Sequence, residues 1–195
     1  MAHTDWVPPV TGCEAPLPEV SSDYCDPAIE QSEFTDLYLC EKAGANFTDV
    51  TAPAEWADRL ADDGTTIPAG SDATVDDLIR HLPIIGDYPK PSIATKDISG
   101  GRTGFPYKTT HVINIDVDDI TVKNYQFAQF TQSMRREVKA WVKTKGGKML
   151  GGNAGIVAVL RLDPVFARGT DSIVGLSGTL TWDKHYSPDL TASAV

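Results

Sequence analysis

The sequence is poor in cysteine. Its three cysteines, Cys13, Cys25 and Cys40, are widely spaced and form no Cys-x-x-Cys pair. This spacing predicts neither a disulfide framework nor a common zinc-binding pattern. We expect reduced thiols, as in a protein made in the cytosol; a metal site of Cys residues with His3 is the weaker alternative.

Sequence features that direct a chain to a membrane are missing as well. No apolar stretch approaches the ~20 residues that a helix needs to span a bilayer. Residues 1–6 lack the basic and apolar regions of a secretory signal. We therefore expect no membrane anchor.

Basic residues are the minority among the charged ones. The chain has 17 Lys and Arg against 27 Asp and Glu, a net charge of −10. Tight nucleic-acid binding needs a basic surface, so DNA is not expected as a bound partner. A channel through which DNA only passes is compatible with this charge, because an acidic wall repels phosphates.

The charge changes sign along the chain near Gly100. Residues 1–100 hold 19 acidic and 5 basic residues, whereas residues 101–195 hold 8 acidic and 12 basic ones. Opposite charges on one chain favour contacts between copies that meet head to tail. We therefore expect copies of the chain itself to be its partners.

Motifs that carry catalysis are absent. Asp116–Asp119 lacks the central Gly and terminal Glu of a calcium-binding loop, so a weak cation site there is a minor alternative to a solvated strand end. In Lys145–Gly152, Lys148 precedes Met rather than the Ser or Thr of a phosphate-binding loop. The four histidines adjoin no nucleophile motif. The sequence therefore predicts neither an enzyme nor a cofactor.

The N-terminal segment differs in composition from the rest of the chain. Residues 1–33 contain five prolines among acidic and small residues, and each proline removes a backbone donor and favours extended chain. We expect an extended N-terminal arm over residues 1–33 and a single β-rich assembly domain over residues 34–195.

Hydrophobic alternation predicts strands. Ile113, Ile115 and Val117 alternate with polar residues, as in a strand with one buried face. Residues 82–85 are predicted to form a short edge strand or a connector, because prolines follow them. Further strands are predicted at 34–40, 138–145, 156–162 and 172–182.

Two segments are predicted to form helices. A short helix is expected over 53–61 with Thr51 as its cap, and a longer one from Asp119 or Thr121 to Met134. The residues of the longer helix expected to face the core are Phe127, Phe130 and Met134. The predicted fold class is mainly β, a β-sandwich or barrel-like antiparallel sheet with one packed α-helix and an extended N-terminal arm.

Glycine-rich segments and one tryptophan are candidates for contacts between subunits. Gly100–Gly104 and Gly146–Gly152 are predicted to be joints, the first either a plain linker or the hinge of an intersubunit loop. Trp141 lies on the charged face of its strand, where a loop of the same chain or another subunit must cover it. The candidate oligomer contacts are Arg102, Trp141, Lys148, Gly151 and Gly152.

Several short segments resemble tail and virion structural proteins of phages that infect hosts of the Bacteroidetes type. The segments are Phe34–Leu39, Asp49–Trp56, Ile98–Arg102, Asn124–Phe127 and Gly151–Ile156. The C-terminal half also resembles the layout of tail-tube subunits, which is a strand, a helix and then strands that end in Trp or Phe before Pro. Here that ending is Trp182 and Pro188, and the long acidic first half departs from the layout.

The resemblance implies a structural subunit of a phage tail tube, located in the virion after synthesis in the host cytoplasm. Such subunits close into rings, and the rings stack into a hollow conduit for viral DNA. The implied partners are copies of the chain and other virion proteins, with DNA only as passing cargo. The alternatives are another virion component, such as a capsid decoration, head or connector protein, and a β-rich binding module that does not assemble.

Deletion of residues 1–30 tests the arm. We expect a folded, soluble protein that assembles poorly, because the prolines and low apolar content of this segment leave little for its own domain to bury. Circular dichroism would measure folding, and light scattering would measure assembly. A truncated protein that fails to fold would make the arm a part of the core.

Overall fold

The computed structural model describes residues 32–60, 66–98, 102–133, 136–166 and 174–195, without the side chains of residues 97, 98 and 102–106. Residues 1–31 of the expected arm lie outside this description. The described strands are β1 (Phe34–Glu41), β2 (Arg80–Asp87), β3 (Ser92–Ile98), β4 (Arg102–Val117), β5 (Glu137–Thr144), β6 (Lys148–Leu150), β7 (Ile156–Val165), β8 (Gly175–Asp183) and β9 (Leu190–Ala192). The described helices are α1 (Pro53–Ala57), α2 (Val122–Ser133) and a 3₁₀ turn (Val75–Asp77).

Six antiparallel strands close into a barrel. Their order is β1, β2, β4, β8, β7 and β5, and β5 pairs again with β1. Outside the barrel, β3 pairs with β4, β6 pairs with β5, and β9 pairs with β6. The predicted fold class, mainly β with a barrel-like antiparallel sheet and one long helix, is confirmed. Residues 82–85 lie in β2, which pairs with β1 but pairs with β4 only from Ile85 onward. The strand is therefore an edge over residues 82–84, as predicted, and has partners on both sides beyond them.

Alternate residues of each barrel strand fill the interior. Ile113 and Leu180 are register partners of β4 and β8, and Leu37 faces Val142 across β1 and β5. All four side chains are fully buried. The period-two alternation in the sequence therefore identified the inward face of β4 correctly.

Helix α2 replaces a missing strand partner beside β7. The pairing of β5 with β7 ends at Val159. Beyond that point the Leu162 N–H donates to Thr131 Oγ1 at 3.1 Å, and Gln132 Nε2 donates to the Leu162 carbonyl at 2.9 Å. These side chains satisfy backbone groups that a neighbouring strand would otherwise bind.

The predicted second helix is confirmed, but the prediction of which of its residues face the core is partly wrong. The Asn124 N–H donates to Thr121 Oγ1 at 3.1 Å, so Thr121 caps the helix as expected. Phe127 packs on the barrel core, with Ala128 fully buried beside it. Phe130 is 43% exposed, because the residues that bind β7 lie on a different side of the helix. Met134 lies outside the described residues.

A second core covers the outer face of β1 and β5. Tyr38 and Trp141 are register partners there, and residues 44–60 fold over them. Trp56 stands 5.1 Å from Tyr38 between ring centroids and 5.9 Å from Trp141. The Trp56 indole N–H donates to the Val50 carbonyl at 2.7 Å. Strands β1 and β5 are therefore buried on both faces.

The helix within this cover is shorter than predicted. It ends at Ala57, because Leu60 forms a parallel β-bridge with Ile79. The predicted cap is also wrong: the Thr51 hydroxyl donates to Asp49 at 2.6 Å instead. Glu55 accepts the Asp49 N–H at 3.0 Å and so supplies an acceptor at this helix start.

Substitution of Gly178 tests how closely β7 approaches β8. A Cβ at this position would overlap the carbonyl oxygen of Arg161, which is backbone and cannot turn away. We expect Gly178→Ala to lower the free energy of unfolding by about 1–3 kcal/mol. Denaturant titration would measure the change.

Gly175→Ala is the matched control in the same strand. Its Cβ would lie 3.3 Å from the Val117 carbonyl oxygen, so a small shift can accommodate it. We expect a change of less than about 1 kcal/mol. Equal losses of free energy of unfolding in the two variants would contradict the close approach of the Arg161 carbonyl to Gly178.

Candidate interaction surfaces

Two hairpins lie at opposite ends of β4, one formed by β3 with β4 and the other by β7 with β8. Strand β4 is 16 residues long, but it pairs with β8 only over Thr110–Val117. Its first part pairs with β3 alone and leaves the barrel as a hairpin, which we call the upper hairpin. At the other end, β7 and β8 continue past the pair Val117–Leu176 to the pair Val165–Gly175, which we call the lower hairpin.

Both hairpins expose apolar side chains. Tyr107 is 57% exposed on the upper hairpin, where Ile93 is exposed to the same degree. Phe166 is 66% exposed on the lower hairpin, next to the exposed Val165. Each hairpin therefore offers apolar surface that contact with another protein would bury.

The two ends carry opposite charges. Lys90, Lys96 and Lys184 are exposed near the upper hairpin, where Lys108 pairs with Asp183 at 3.0 Å. The exposed carboxylates near the lower hairpin are Asp116, Asp118 and Asp119. Lys123 of α2 and the paired Arg161 and Asp163 lie on the same side. The described side chains thus make one end basic and the other acidic.

Most free strand edges belong to the additions to the barrel. Each described barrel strand pairs on both sides over part of its length, and only the start of β2 and the end of β7 lack a second strand partner. Among the described residues, β3 pairs only with β4, and β9 pairs only with β6. Backbone pairing with another chain is therefore possible at the upper hairpin and at β9.

Trp141, Gly151 and Gly152 are not oligomer contacts, so the prediction for these three is wrong. All are buried within the chain itself, and Trp141 is 0% exposed. The Trp141 indole N–H donates to the Gly152 carbonyl at 2.8 Å. Residues 44–60 cover the ring, which was one of the two alternatives open from the sequence.

The glycines of the second predicted joint make room for that indole. Gly151 and Gly155 have φ angles of +133° and +69°. A Cβ would lie 2.7 Å from Trp141 Cδ1 at Gly151 and 2.8 Å from Trp141 Cζ2 at Gly155. The glycine-rich segment is therefore a packing surface for Trp141, and its Gly151 N–H is already bound to the Asp189 carbonyl at 3.0 Å.

Asn153 joins this segment to the cover of the second core. Its Oδ1 accepts the Val50 N–H at 2.9 Å, and its Nδ2 donates to the Thr48 carbonyl at 3.0 Å. Its own carbonyl accepts the Phe47 N–H at 2.9 Å. The side chain and the carbonyl of this one residue thus satisfy three backbone groups of a loop that is distant in sequence.

The two other candidate contacts stay predictions. Lys148 begins β6 with an exposed side chain. Arg102 begins β4 opposite Ile98, and its side chain lies outside the described residues. The glycine pair Gly100–Gly101 also lies outside them, so the choice between a plain linker and the hinge of an intersubunit loop stays a prediction.

The buried polar groups of the second core are structural. Lys139 donates from Nζ to the Gly44 carbonyl and to Asn46 Oδ1, the latter at 2.7 Å. Burial raises the pKa of the Cys40 thiol to about 11. Since the thiolate is the reactive form, this cysteine is a poor nucleophile at neutral pH.

An open groove of about 840 Å³ lies beside the start of β5, and four of its five charged side chains pair with one another. Arg136 bonds Glu41 at 2.8 Å, and Lys42 bonds Glu137. Among the described residues no three His, Cys, Asp or Glu side chains group closely enough to hold a metal ion. That part of the chain also has no helix long and apolar enough to cross a membrane.

Comparison with protein-family models, curated proteins and solved structures gives no significant match to this chain.

Sequence reasoning missed the hairpins that carry these surfaces. The upper one had a local indication: Gly100–Gly101 stands between segments with β-branched residues, which is typical of a hairpin. The charge boundary at the same point favoured a linker instead. Exposure of Tyr107 and Phe166 had no indication, because an apolar residue in a strand is ordinarily buried.

Gly155→Ala tests the packing of Trp141. We expect the free energy of unfolding to fall by about 2–5 kcal/mol, because alanine is strained at positive φ and its methyl group would meet the indole. Denaturant titration would measure the change, and near-ultraviolet circular dichroism would show whether the ring moves.

Gly147→Ala is the control for backbone strain alone. Gly147 has a φ of +84° and nothing within 4 Å of a Cβ. We expect a cost of only about 1–2 kcal/mol. If Gly155→Ala lowers the free energy of unfolding no more than Gly147→Ala does, the close contact with Trp141 is contradicted.

Proposed function

We propose that this chain is a structural subunit of a phage tail tube, which assembles head to tail into stacked rings that form a conduit for viral DNA. The observation that carries the proposal is the pair of hairpins at opposite ends of β4, each with exposed apolar side chains and with charges of opposite sign. In this role the chain has no catalytic activity.

The charges favour one direction of contact. Two copies that met through the same end would bring like charges together, which costs free energy. A basic upper end against an acidic lower end is favourable, and it uses two different surfaces of the chain. Such heterologous contacts repeat from copy to copy and generate rings or filaments.

The resemblance of short segments to phage tail and virion proteins supports the particular assembly. The net charge of −10 suits a conduit that DNA passes without binding. In this account the chain is made in the host cytoplasm and resides in the virion, where its partners are copies of itself and other virion proteins.

Charge reversal at the two ends tests the head-to-tail contact. We expect Lys96→Glu and Asp118→Lys each to weaken self-association about two- to fivefold, the range for exposed ion pairs. A mixture of the two variants should associate better than either alone, because reversal on both sides restores complementary ends. Light scattering at 0.05 M and 0.5 M salt would measure association, which should fall as salt screens the charges.

Asp72→Lys is the control, with the same change of charge at an exposed position in the loop before the 3₁₀ turn, which belongs to neither hairpin. It should associate like the unchanged protein. A chain that stays monomeric at low salt and high concentration would exclude the tube and favour a binding module. Equal loss in all three variants would exclude the two ends as the contact.

A further inference from the structure

The exposed apolar residues of the lower hairpin continue the inner face of the barrel. Leu160 and Leu162 belong to the row of alternate β7 residues that is buried in the barrel core. The same row reaches Phe166 two steps later. The register of β7 with β8, continued one pair past Val165–Gly175, places Phe166 opposite Val174. Both side chains are exposed, so the inner face of the barrel extends into solvent at this end.

The upper hairpin extends the same face at the other end of the barrel. His111 and Ile113 are buried, and Thr109 is the next residue of their row along β4. Ile93 is the register partner of Thr109, so the two share that face. Tyr107 lies beside them, where the register of β4 on β3 shifts by one residue. Ile93 and Tyr107 are exposed, so each hairpin presents one aromatic ring and one β-branched aliphatic side chain.

The free edges of the hairpins are poorly suited to the addition of another strand. Leu162 directs both its N–H and its carbonyl to α2, so the nitrogen of Pro164, two residues later, lies on the same edge and has no hydrogen to donate. In the upper hairpin, the register of β3 on β4 shifts twice between Ala94 and Ile98. Edge prolines and bulges disfavour pairing with a further strand. The apolar faces are therefore better suited to a contact than the edges.

We propose that the upper hairpin of one copy packs face to face on the lower hairpin of the next, so that the two ribbons form a two-layered contact between subunits. Ile93 and Tyr107 of one copy then cover Phe166 and Val174 of the next. This inference rests on the head-to-tail assembly proposed above and states how its two ends touch. A two-stranded ribbon is marginally stable by itself, and each ribbon gains from the other an apolar layer.

Charge complementarity selects a second copy as the occupant of each face. Exposed lysines lie near the upper hairpin, and the three carboxylates of residues 116–119 lie near the lower one. Contact between unlike hairpins brings opposite charges together around the apolar residues, whereas contact between like hairpins brings equal charges together. The charges thus set the direction of the contact, and the buried apolar area supplies most of its strength.

Photochemical crosslinking tests which surfaces meet. A photoreactive benzoylphenylalanine in place of Tyr107 is irradiated in a mixture of ¹⁵N-labelled and unlabelled protein at 0.05 M salt. Mass spectrometry then separates crosslinks between copies from those within one copy. We expect crosslinks between copies from position 107 to the peptides that contain Phe166 and Val174. The same group in place of Val75, an exposed residue of the 3₁₀ turn that belongs to neither hairpin, should give no such crosslinks.

Phe166→Ser tests whether the apolar face supplies the strength of the contact. We expect self-association to weaken by about tenfold or more, because the contact would otherwise remove this aromatic side chain from water. Light scattering at 0.05 M and 0.5 M salt should show the same fold loss at both, because salt screens charges but not an apolar contact. The loss in the charge variant Lys96→Glu should instead disappear at 0.5 M salt.

Val75→Ser and Phe166→Leu are the matched controls. Val75→Ser removes an equally exposed apolar side chain outside the two hairpins and should associate like the unchanged protein. Phe166→Leu keeps an apolar side chain at the contact and should weaken association less than about threefold. Circular dichroism would confirm that each variant is folded.

The results distinguish this contact from the assembly itself. Protein that assembles, but whose position 107 crosslinks only to peptides outside the lower hairpin, overturns the face-to-face contact and leaves head-to-tail assembly in place. So does a Phe166→Ser variant that associates like the unchanged protein. Crosslinks between the upper hairpins of two copies would contradict both proposals, as would a chain that stays monomeric at low salt and high concentration.

Discussion

The pairing of β1 with β5 joins segments about 100 residues apart in sequence and closes the sheet into a barrel. Closure buries the inward faces of both strands in the barrel core. Their outward faces carry Tyr38 and Trp141, which are too large and apolar to leave in water. The cover of residues 44–60 and the glycines around Trp141 follow from that need, because only glycine lets the chain approach the indole so closely. A loop that looks like a ligand-binding or contact segment is thus part of a second core.

Closure also determines where the protein can meet other molecules. Closure leaves the described barrel strands with few unpaired edges, at the start of β2 and at the end of β7, so most contacts with other chains are made by side chains or by the additions to the barrel. The largest additions are the two hairpins, at opposite ends of β4. Their exposed apolar residues and opposite charges give the chain a direction, which a head-to-tail assembly requires.

The parts of the fold with local periodicity could be predicted from the sequence. The alternation at Ile113–Val117 and the Thr121 cap each depend on residues close in sequence, and both are found in the structure. The cover of Trp141 could not be predicted, since it depends on a partner segment about 90 residues away. The same holds for Phe130, whose exposure follows from which face of α2 binds β7. The two ends of the candidate surface needed the strand register, which no single segment encodes.

Electron microscopy of the purified chain tests the central claim, assembly through the two ends, most directly. At low salt and high protein concentration the account predicts rings and hollow stacks in which all subunits point in one direction along the axis. Particles the size of one chain under these conditions would contradict it. Closed dimers related by a two-fold axis would contradict it as well, because they would join like ends.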